Sequence, residues 1–547
     1  RDPEMSRGLG DVYKRQVAGL AHVVAVSGMH VAFLVGVLQS LLGKNRRSSL
    51  ICICLVWLFA VMVGSPLSAI RAGIMISLLM LAPVLGRIND RATTLSFALA
   101  LILVTNPFSA GSVALQLSFG AVAGMFLFSQ PIYAYFSKKL SPPRIFRAVW
   151  NYIIATLSSS LAVTVFTFPL LAVHFGYITL LAPVMNILCL WAISFLFVGG
   201  FAVCAVGLVL PTPASWLAAV LSCLVRYIAF VVEYAAKLPI TALYMENKYA
   251  PAWLLTSYAL FIAYFLLRRK KKISVFAPSA LCLAMLCGVF AMTGRDMRSD
   301  TGTISVMNVG NGQCIAVTEG ESVVVIDCGS YGVTQNAGSM LSSYLRAGGR
   351  YDIDYLMLTH LHSDHTTGVV RLLNLMNVNT VILPDNAEDT NGDDVLDDII
   401  AACEDNGTKI VYITRDTEFT AGAIRLSVYE SSERGSRDES GIMSTVSIGD
   451  YDMLVTGDVE KVVERELVSS HDLSGTELLI VPHHGSKYST SDELLSELRP
   501  ETAVISTGYN RYGHPTKETL DKLNEYGVNV LRTDELGRIV LHVASGD

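Results

Sequence analysis

At 547 residues the chain is long for one domain, and 52% hydrophobic residues with only 16% charged and a mean hydropathy of +0.46 exclude a wholly water-soluble protein. The net charge of −6 hides two opposite halves: residues 17–294 carry 18 Lys and Arg against three acids, Asp90, Glu233 and Glu246, a balance of +15, whereas residues 295–547 carry −22. A basic membrane half therefore joins an acidic soluble half, and with no Gly-x-x-x-x-Gly-Lys-Ser/Thr run the sequence gives no sign of transport driven by its own ATP site.

Residues 1–16 are polar, change abruptly to membrane sequence at Val17, and read as a non-native scar with the native N-terminus missing. From there, apolar stretches approach the length of about 20 residues that crosses a bilayer: 17–42, 50–63, 73–85, 93–104, 113–128, 153–173, 180–210, 216–234, 253–267 and 275–292. Gly, Pro and polar interruptions give an expectation of about eight to eleven helical segments, some re-entrant or interfacial. The sharpest basic cluster, Arg268-Arg269-Lys270-Lys271-Lys272, is cytoplasmic by the positive-inside rule. One further crossing through 275–292 places everything after Arg295 outside; an incomplete last span would return it to the cytoplasm.

The soluble half, 295–547, opens on a hairpin reading. Gln313 to Thr318 and Ser322 to Asp327 flank Glu319-Gly320-Glu321, which could bring Cys314 and Cys328 within disulfide range. The apolar run Tyr355 to Leu358 leads into Thr359-His360-Leu361-His362-Ser363-Asp364-His365. On an extended segment His360 and His362 point the same way and can share one ion, leaving Asp364 and His365 for a second. Two metals about 3.5–4 Å apart lower the pKa of water and clamp the attacking and leaving oxygens of a phosphoester. Met453 to Val455 runs into Thr456-Gly457-Asp458, which makes Asp458 the candidate bridging ligand at a strand's C-terminal end. Leu478 to Val481 runs into Pro482-His483-His484-Gly485-Ser486, and Ala503 to Ser506 precedes Asn510-Arg511-Tyr512-Gly513-His514-Pro515. At least one of His483, His484 and His514 is expected to face the metals.

The order and spacing of Ile326-Asp327-Cys328-Gly329, the His360 cluster, Thr456-Gly457-Asp458 and Val481-Pro482-His483-His484-Gly485-Ser486 resemble the metallo-β-lactamase superfamily over about residues 303–545. The Pro-His-His-Gly-Ser and Tyr-Gly-His-Pro runs look like the hydrolase domain of ComEC-type competence proteins. The resemblance implies an α/β metallo-β-lactamase-like domain, an αββα sandwich, and a supporting rather than ligating role for Asp327. The chain departs from the pattern at one place. Superfamily members with a full binuclear site usually carry another His between the first cluster and the bridging Asp, yet none occurs between His365 and His471, and Tyr429 stands roughly where it is expected. One site is then incomplete, or filled by His483, His484 or water.

In the membrane half, 17–294, Gly19-Leu20-Ala21-His22 and Ala25-Val26-Ser27-Gly28-Met29-His30-Val31 resemble the opening signature of the ComEC competence domain. His22 and His30 fall about 80° apart on an ideal helix, so both could face one path. Ser68-Ala69-Ile70-Arg71-Ala72-Gly73, Gln116-Leu117-Ser118-Phe119 and Asn186 resemble further motifs of that domain. Arg71 reads either as a phosphate contact or as an arginine snorkelling to the interface, and Gln116 and Asn186 as interhelical hydrogen-bond partners.

Taken together, the resemblance implies a polytopic α-helical membrane domain followed by the hydrolase domain, in a plasma-membrane channel that takes up one strand of DNA. Outside, a nuclease degrades the other strand using two divalent ions. Zinc suits the His-rich set, and manganese suits a carboxylate bridge. Asp364, His484 and His514 are the candidate catalytic residues, with His484 or His514 protonating the leaving oxygen. The implied partners are DNA, the lipid bilayer, a DNA receptor, a cytoplasmic DNA-translocating motor and further copies of the chain. A membrane-tethered hydrolase of small esters and a channel with an inactive hydrolase domain are the rival readings; the polar interruptions argue against a mere anchor, and the ligand set against a dead domain. The balance of −22 runs against simple electrostatic capture of DNA by the soluble half.

Overall fold

The computed structural model describes residues 28–544 apart from 44, 65–66, 87–89, 140–143, 237, 239–240, 268–274, 300, 334, 386–392 and 431–440. The 1–16 segment, His22, Ser27 and the 268–272 basic cluster singled out above lie outside the described residues. Two compact units are present, dividing between residues 245 and 246.

The first unit is helical: α1 (Gly28–Leu42), α2 (Arg46–Met62), α3 (Leu67–Val84), α4 (Arg91–Thr105), α5 (Val113–Lys139), α6 (Arg147–Phe175), α7 (Ala182–Gly207) and α8 (Pro211–Ala236). A small antiparallel ribbon joins β1 (Tyr177–Thr179) to β2 (Ala242–Tyr244). Two more apolar helices, α9 (Ala250–Leu267) and α10 (Phe276–Met297), belong by contact to the second unit. Among the described residues, six helices, α5 to α10, are long and apolar enough to cross a membrane, and large side chains such as Phe195, Trp216 and Leu255 stay exposed along them. An apolar surface of that kind is stable in lipid and not in water. Small residues set the closest approach between helices. A Cβ on Gly124 of α5 would stand 2.4 Å from the Ala162 carbonyl of α6, so only glycine lets these backbones meet.

The second unit continues as a layered sandwich. One seven-stranded sheet runs β16-β3-β4-β5-β6-β7-β8, with β3 (Thr301–Val306), β4 (Cys314–Glu319), β5 (Ser322–Cys328), β6 (Asp352–Met357), β7 (Asn377–Pro384), β8 (Lys409–Ile413) and β16 (Ile539–Ala544). The other runs β15-β14-β13-β12-β11-β10-β9, with β9 (Thr417–Ala421), β10 (Ile424–Tyr429), β11 (Met443–Ile448), β12 (Tyr451–Val455), β13 (Leu478–Ile480), β14 (Thr502–Ile505) and β15 (Asn529–Arg532). Alternate residues of both sheets meet in one core: Ile315, Val317, Val324, Ile326 and Met357 against Ile424, Leu426, Val446, Met453, Val455 and Ile480. Helices cover the outer faces. α11 (Ala337–Ala347), α12 (Val369–Leu375) and α13 (Asp393–Asn406) lie on the first sheet, while α14 (Lys461–Ser470), α15 (Asp492–Leu498) and α16 (Lys517–Glu525) cover the second through Leu467, Leu495 and Leu523. This is the αββα arrangement expected from the sequence.

Strands β5 to β8 run parallel, as do β12 to β15, so their C-terminal ends collect along one edge of the sandwich. Asn247, buried just before α9, ties this unit together by donating to Thr293 Oγ1 of α10 at 2.7 Å and to the Ala347 carbonyl of α11 at 2.8 Å. Cys314 and Cys328 face each other in register across β4 and β5, both fully buried, and stand as free thiols. Ile326→Ala, at the centre of the inter-sheet core, is expected to cost about 2–5 kcal/mol; limited proteolysis of the sheet region against denaturant concentration measures it.

Candidate metal centre

At the edge where the parallel strands end, β6 delivers Thr359 to His365, β12 delivers Asp458, and β13 delivers His483 and His484. The donor atoms form two groups that share one carboxylate. Asp364, His365, Asp458 and His484 make one, and His360, His362 and Asp458 the other, with the ligating atoms of each group within 4.8 Å of one another. His365 Nε2 lies 3.2 Å from Asp458 Oδ1, and His360 Nε2 lies 3.9 Å from Asp458 Oδ2, so the two carboxylate oxygens address the two groups separately. His484 Nε2 lies 3.6 Å from Asp364 Oδ2 and 3.9 Å from Asp458 Oδ1.

The donor set fits divalent cations. His360 Nε2, His365 Nε2, His484 Nε2 and Asp458 Oδ1 are buried without a hydrogen bond, although buried polar atoms ordinarily have partners. Burial, and then His365 beside it, push His360 down to about 3, the neutral form a metal requires. Burial also opposes charge on Asp364, but His484, 3.6 Å away, and the charge of His365 outweigh it and hold the carboxyl at about 2. Asp458 is held well below its ordinary value by His365 and His484, again against burial. Burial opposes charge on His365 and His484, but Asp458 raises both, joined by Asp327 at His365 and by Asp364 at His484.

Asp327 stands behind the cluster. Fully buried, it accepts from Thr359 N at 2.8 Å, Thr359 Oγ1 at 2.8 Å, Gln313 Nε2 at 2.9 Å and His365 Nδ1 at 2.7 Å. The last bond fixes the ring so that Nε2 faces Asp458. His484 is fixed likewise, its Nδ1 donating to the Ser506 carbonyl at 2.8 Å. Five described residues other than glycine have positive φ, and four belong to this region: Asp327, His483, His484 and Thr490. Such conformations cost free energy and persist only where surrounding bonds enforce them. Buried Glu464 does so for the last, accepting from Thr490 N at 2.7 Å and Ser491 N at 2.6 Å. Glycine is required where the two sheet edges touch: a Cβ on Gly457, at φ +63°, would sit 2.8 Å from the Thr359 side chain.

His483 and His514 fall outside both groups. His483 is 35% exposed in its side chain with Nε2 3.8 Å from Asp458 Oδ2, and His514 stacks edge-on against it at 5.6 Å between ring centroids. Tyr429, where another His was expected, turns away to pack on His471 at 4.4 Å and takes no part in either group. Gln313, Thr359, Ser506 and Glu464 were not singled out from sequence; Gln313 and Thr359 adjoin the motifs, and the other two carry no local signal.

The candidate channel residues are distributed through the helical unit. His30 of α1 packs on Phe197 of α7 at 5.3 Å, and Arg71 of α3 is buried with its Nε unpaired. Gln116 pairs with His174 Nε2 at 3.0 Å, joining α5 to α6, and Asn186 donates to Ser160 Oγ at 2.9 Å, joining α7 to α6. These two polar residues act as interhelical partners. A cavity of about 490 Å³ between α5 and α6 is lined by Ser129, Gln130, Tyr133, Asn151, Tyr152 and Ser159, all uncharged.

Comparisons with known proteins match two parts of the chain. Residues 11–272 match the competence protein family, and residues 307–427 match the metallo-β-lactamase superfamily. The ComE operon protein 3 of Bacillus subtilis is 26% identical over 96% of this chain and 68% of its own length. Competence protein ComA of Neisseria gonorrhoeae is 24% identical over 96% of this chain and 71% of its own. Among solved structures, CmlA, a diiron β-hydroxylase from Streptomyces venezuelae, is similar at 14% identity and a TM-score of 0.31, over 44% of this chain and 54% of that one.

Calorimetric titration of the metal-free chain should show stepwise loading, the four-donor group filling first; His484→Ala should weaken that step selectively, whereas Asp458→Asn should weaken both. Because His365 and His484 are held above their ordinary values, loading should release protons and tighten as pH rises, read from the buffer dependence of the enthalpy. Asp327→Asn should lower metal affinity by about 10–100-fold while leaving all six candidate donor residues in place.

Proposed function

We propose that this chain, a multi-pass membrane protein carrying a competence-protein domain and a metallo-β-lactamase superfamily domain in tandem, takes part in DNA uptake by cleaving phosphodiester bonds of one strand while its helices pass the other. The observation that carries the reading is the pair of donor groups sharing Asp458 at an open sheet edge. When bound, two divalent ions there supply an acidified water and neutralise charge developing on the phosphoryl oxygens.

The chain's own residues do the rest. His360, His362 and Asp458 hold one position, and Asp364, His365, Asp458 and His484 the other. Asp327 keeps the His365 proton on Nδ1, and the Ser506 carbonyl does the same for His484, so each ring presents Nε2 as a lone pair. Both nitrogens of His484 are thereby committed, which assigns the leaving oxygen to His514. That ring sits at the rim, is held below its ordinary pKa by burial and by His483, and keeps a buried Nδ1 without a partner. To act as the acid it must carry its proton as imidazolium, pass it to the departing oxygen and leave neutral, and its lowered pKa makes this step favour acidic pH.

The six long helices and the basic segment 268–272 support a plasma-membrane protein with the metal domain outside. The uncharged cavity of α5 and α6 and buried Arg71 are the elements of the helical unit suited to conducting a polar strand. Delivery of DNA to the site and its inward pull fall to separate partners, a receptor and a cytoplasmic motor.

The metal-loaded chain is expected to cut DNA, with His362→Ala and Asp458→Asn each abolishing cleavage. His514→Ala should slow DNA cleavage by about 10²-fold and p-nitrophenyl phosphodiesters far less, because p-nitrophenolate needs no proton to depart. Equal losses on both substrates would remove His514 from that role, and cleavage of small esters with DNA untouched would replace the nuclease by a small-molecule hydrolase.

A further inference from the structure

The loops around the donor groups expose aromatic rings that no core requires. Tyr509 is 88% exposed, Tyr512 70%, Tyr488 58% and Tyr331 48%. All four lie on the loops that follow β5, β13 and β14, the strands whose ends border the donor groups. Contacts lead from Asp458 to this rim: His483 stands 3.8 Å from Asp458, His514 5.6 Å from His483, and Tyr512 5.9 Å from His514. Asn510 ties the β14 loop by donating to the His514 carbonyl at 2.7 Å. On the β13 loop, the Lys487 ammonium sits 4.9 Å above the Tyr488 ring.

Charge follows the same division. Residues 481–491 and 502–517 contain no Asp or Glu and carry Lys487, Arg511 and Lys517. Nine acids fall instead within residues 385–405, where no Lys or Arg occurs, in the stretch leading through α13 to the far edge of the first sheet at β8. The −22 of the soluble half is therefore an average that does not describe the rim.

We propose that Tyr488, Tyr509 and Tyr512, with Lys487 and Arg511, form a stacking rim that takes the unstacked bases of a single-stranded nucleic acid whose backbone lies at the donor groups. Exposed rings interleaved with cations and free of carboxylates are what a strand with splayed bases needs, whereas a paired duplex keeps its base faces covered. The rim rests on the phosphodiesterase reading and deepens it by naming the strand form that is held. Each stacked base contributes a factor of about 5–150 in affinity.

The test uses the full chain in detergent with metals chelated, so that binding is read without cleavage, at fixed ionic strength. Fluorescein-labelled single strands of about 12 nucleotides are compared with abasic strands of equal length and with duplex. The wild-type chain should bind the normal strand at least about tenfold tighter than the abasic one. The double change Tyr509→Ala and Tyr512→Ala should erase that difference by weakening only the normal strand, and Tyr509→Phe with Tyr512→Phe should retain it. Equal wild-type affinity for normal and abasic strands, or a double variant that weakens both alike, overturns the rim. With metal restored, a chain that cleaves DNA yet ignores bases keeps the phosphodiesterase and loses the rim. One that discriminates bases and cleaves nothing keeps the rim and loses the phosphodiesterase.

Discussion

A carboxylate at zero exposure organises the candidate site. Removing an ionised group of this size from water costs several kcal/mol, and Asp327 carries that cost inside the core at a positive φ of 55°. Four donors offset it, three on one oxygen, and each charge-assisted bond contributes about 1.5–3 kcal/mol. The donors come from different places in the fold: Gln313 before β4, Thr359 after β6, and His365 beyond. Satisfying one carboxylate therefore fixes three loops at once. Thr359 in turn leaves room only for glycine at 457, which brings Asp458 from the opposite sheet to the same edge.

Strain and support are distributed accordingly. His483 and His484 both adopt left-handed backbone, and this sharp turn sends neighbouring rings in different directions: His484 inward to Asp364, His483 outward to the rim. An extended Pro-His-His-Gly run would also separate the two rings, but without placing Nδ1 of the second against the Ser506 carbonyl. Glu464 holds the following loop through two backbone N–H groups, so the turn cannot relax by sliding. Ser506 itself is anchored by its hydroxyl to the Gly312 carbonyl, which closes the circuit back to the Asp327 side.

Much of this was legible in the sequence because the chemistry sits where strands end. Short apolar runs followed at once by His, Asp or Gly mark the C-terminal edges of parallel strands, and His360, His362, Asp364, His365 and Asp458 were found that way. The helical segments were legible from hydropathy: the stretch 180–210 corresponds to Ala182–Gly207, and 253–267 to Ala250–Leu267. What escaped has physical reasons. The ribbon of β1 and β2 is three residues long on each side, too short for any period to register. Glu464 and Ser506 act through backbone partners distant in sequence, and nothing local distinguishes them from a helix acid or a strand-end serine. Which of His483 and His484 faces inward depended on φ values that composition does not encode. The candidate channel residues were chosen one at a time, whereas Gln116 with His174, and Asn186 with Ser160, acquire meaning only as pairs.

The missing histidine between His365 and His471 is the departure that bears most on chemistry. Tyr429 does not replace it, and the His360 group is left with three donors while its neighbour has four. A cation in the four-donor group would have four protein ligands, and one in the three-donor group would have three. In zinc enzymes that contrast separates structural from catalytic ions, since an open position is where water and substrate oxygen enter. The absent ligand thus leaves the two groups unequal rather than removing either of them. The four-donor position, built on the rigid Asp327 and Ser506 anchors, holds Asp458 in place. The three-donor position, with His362 half-buried, is the one left short of a protein ligand.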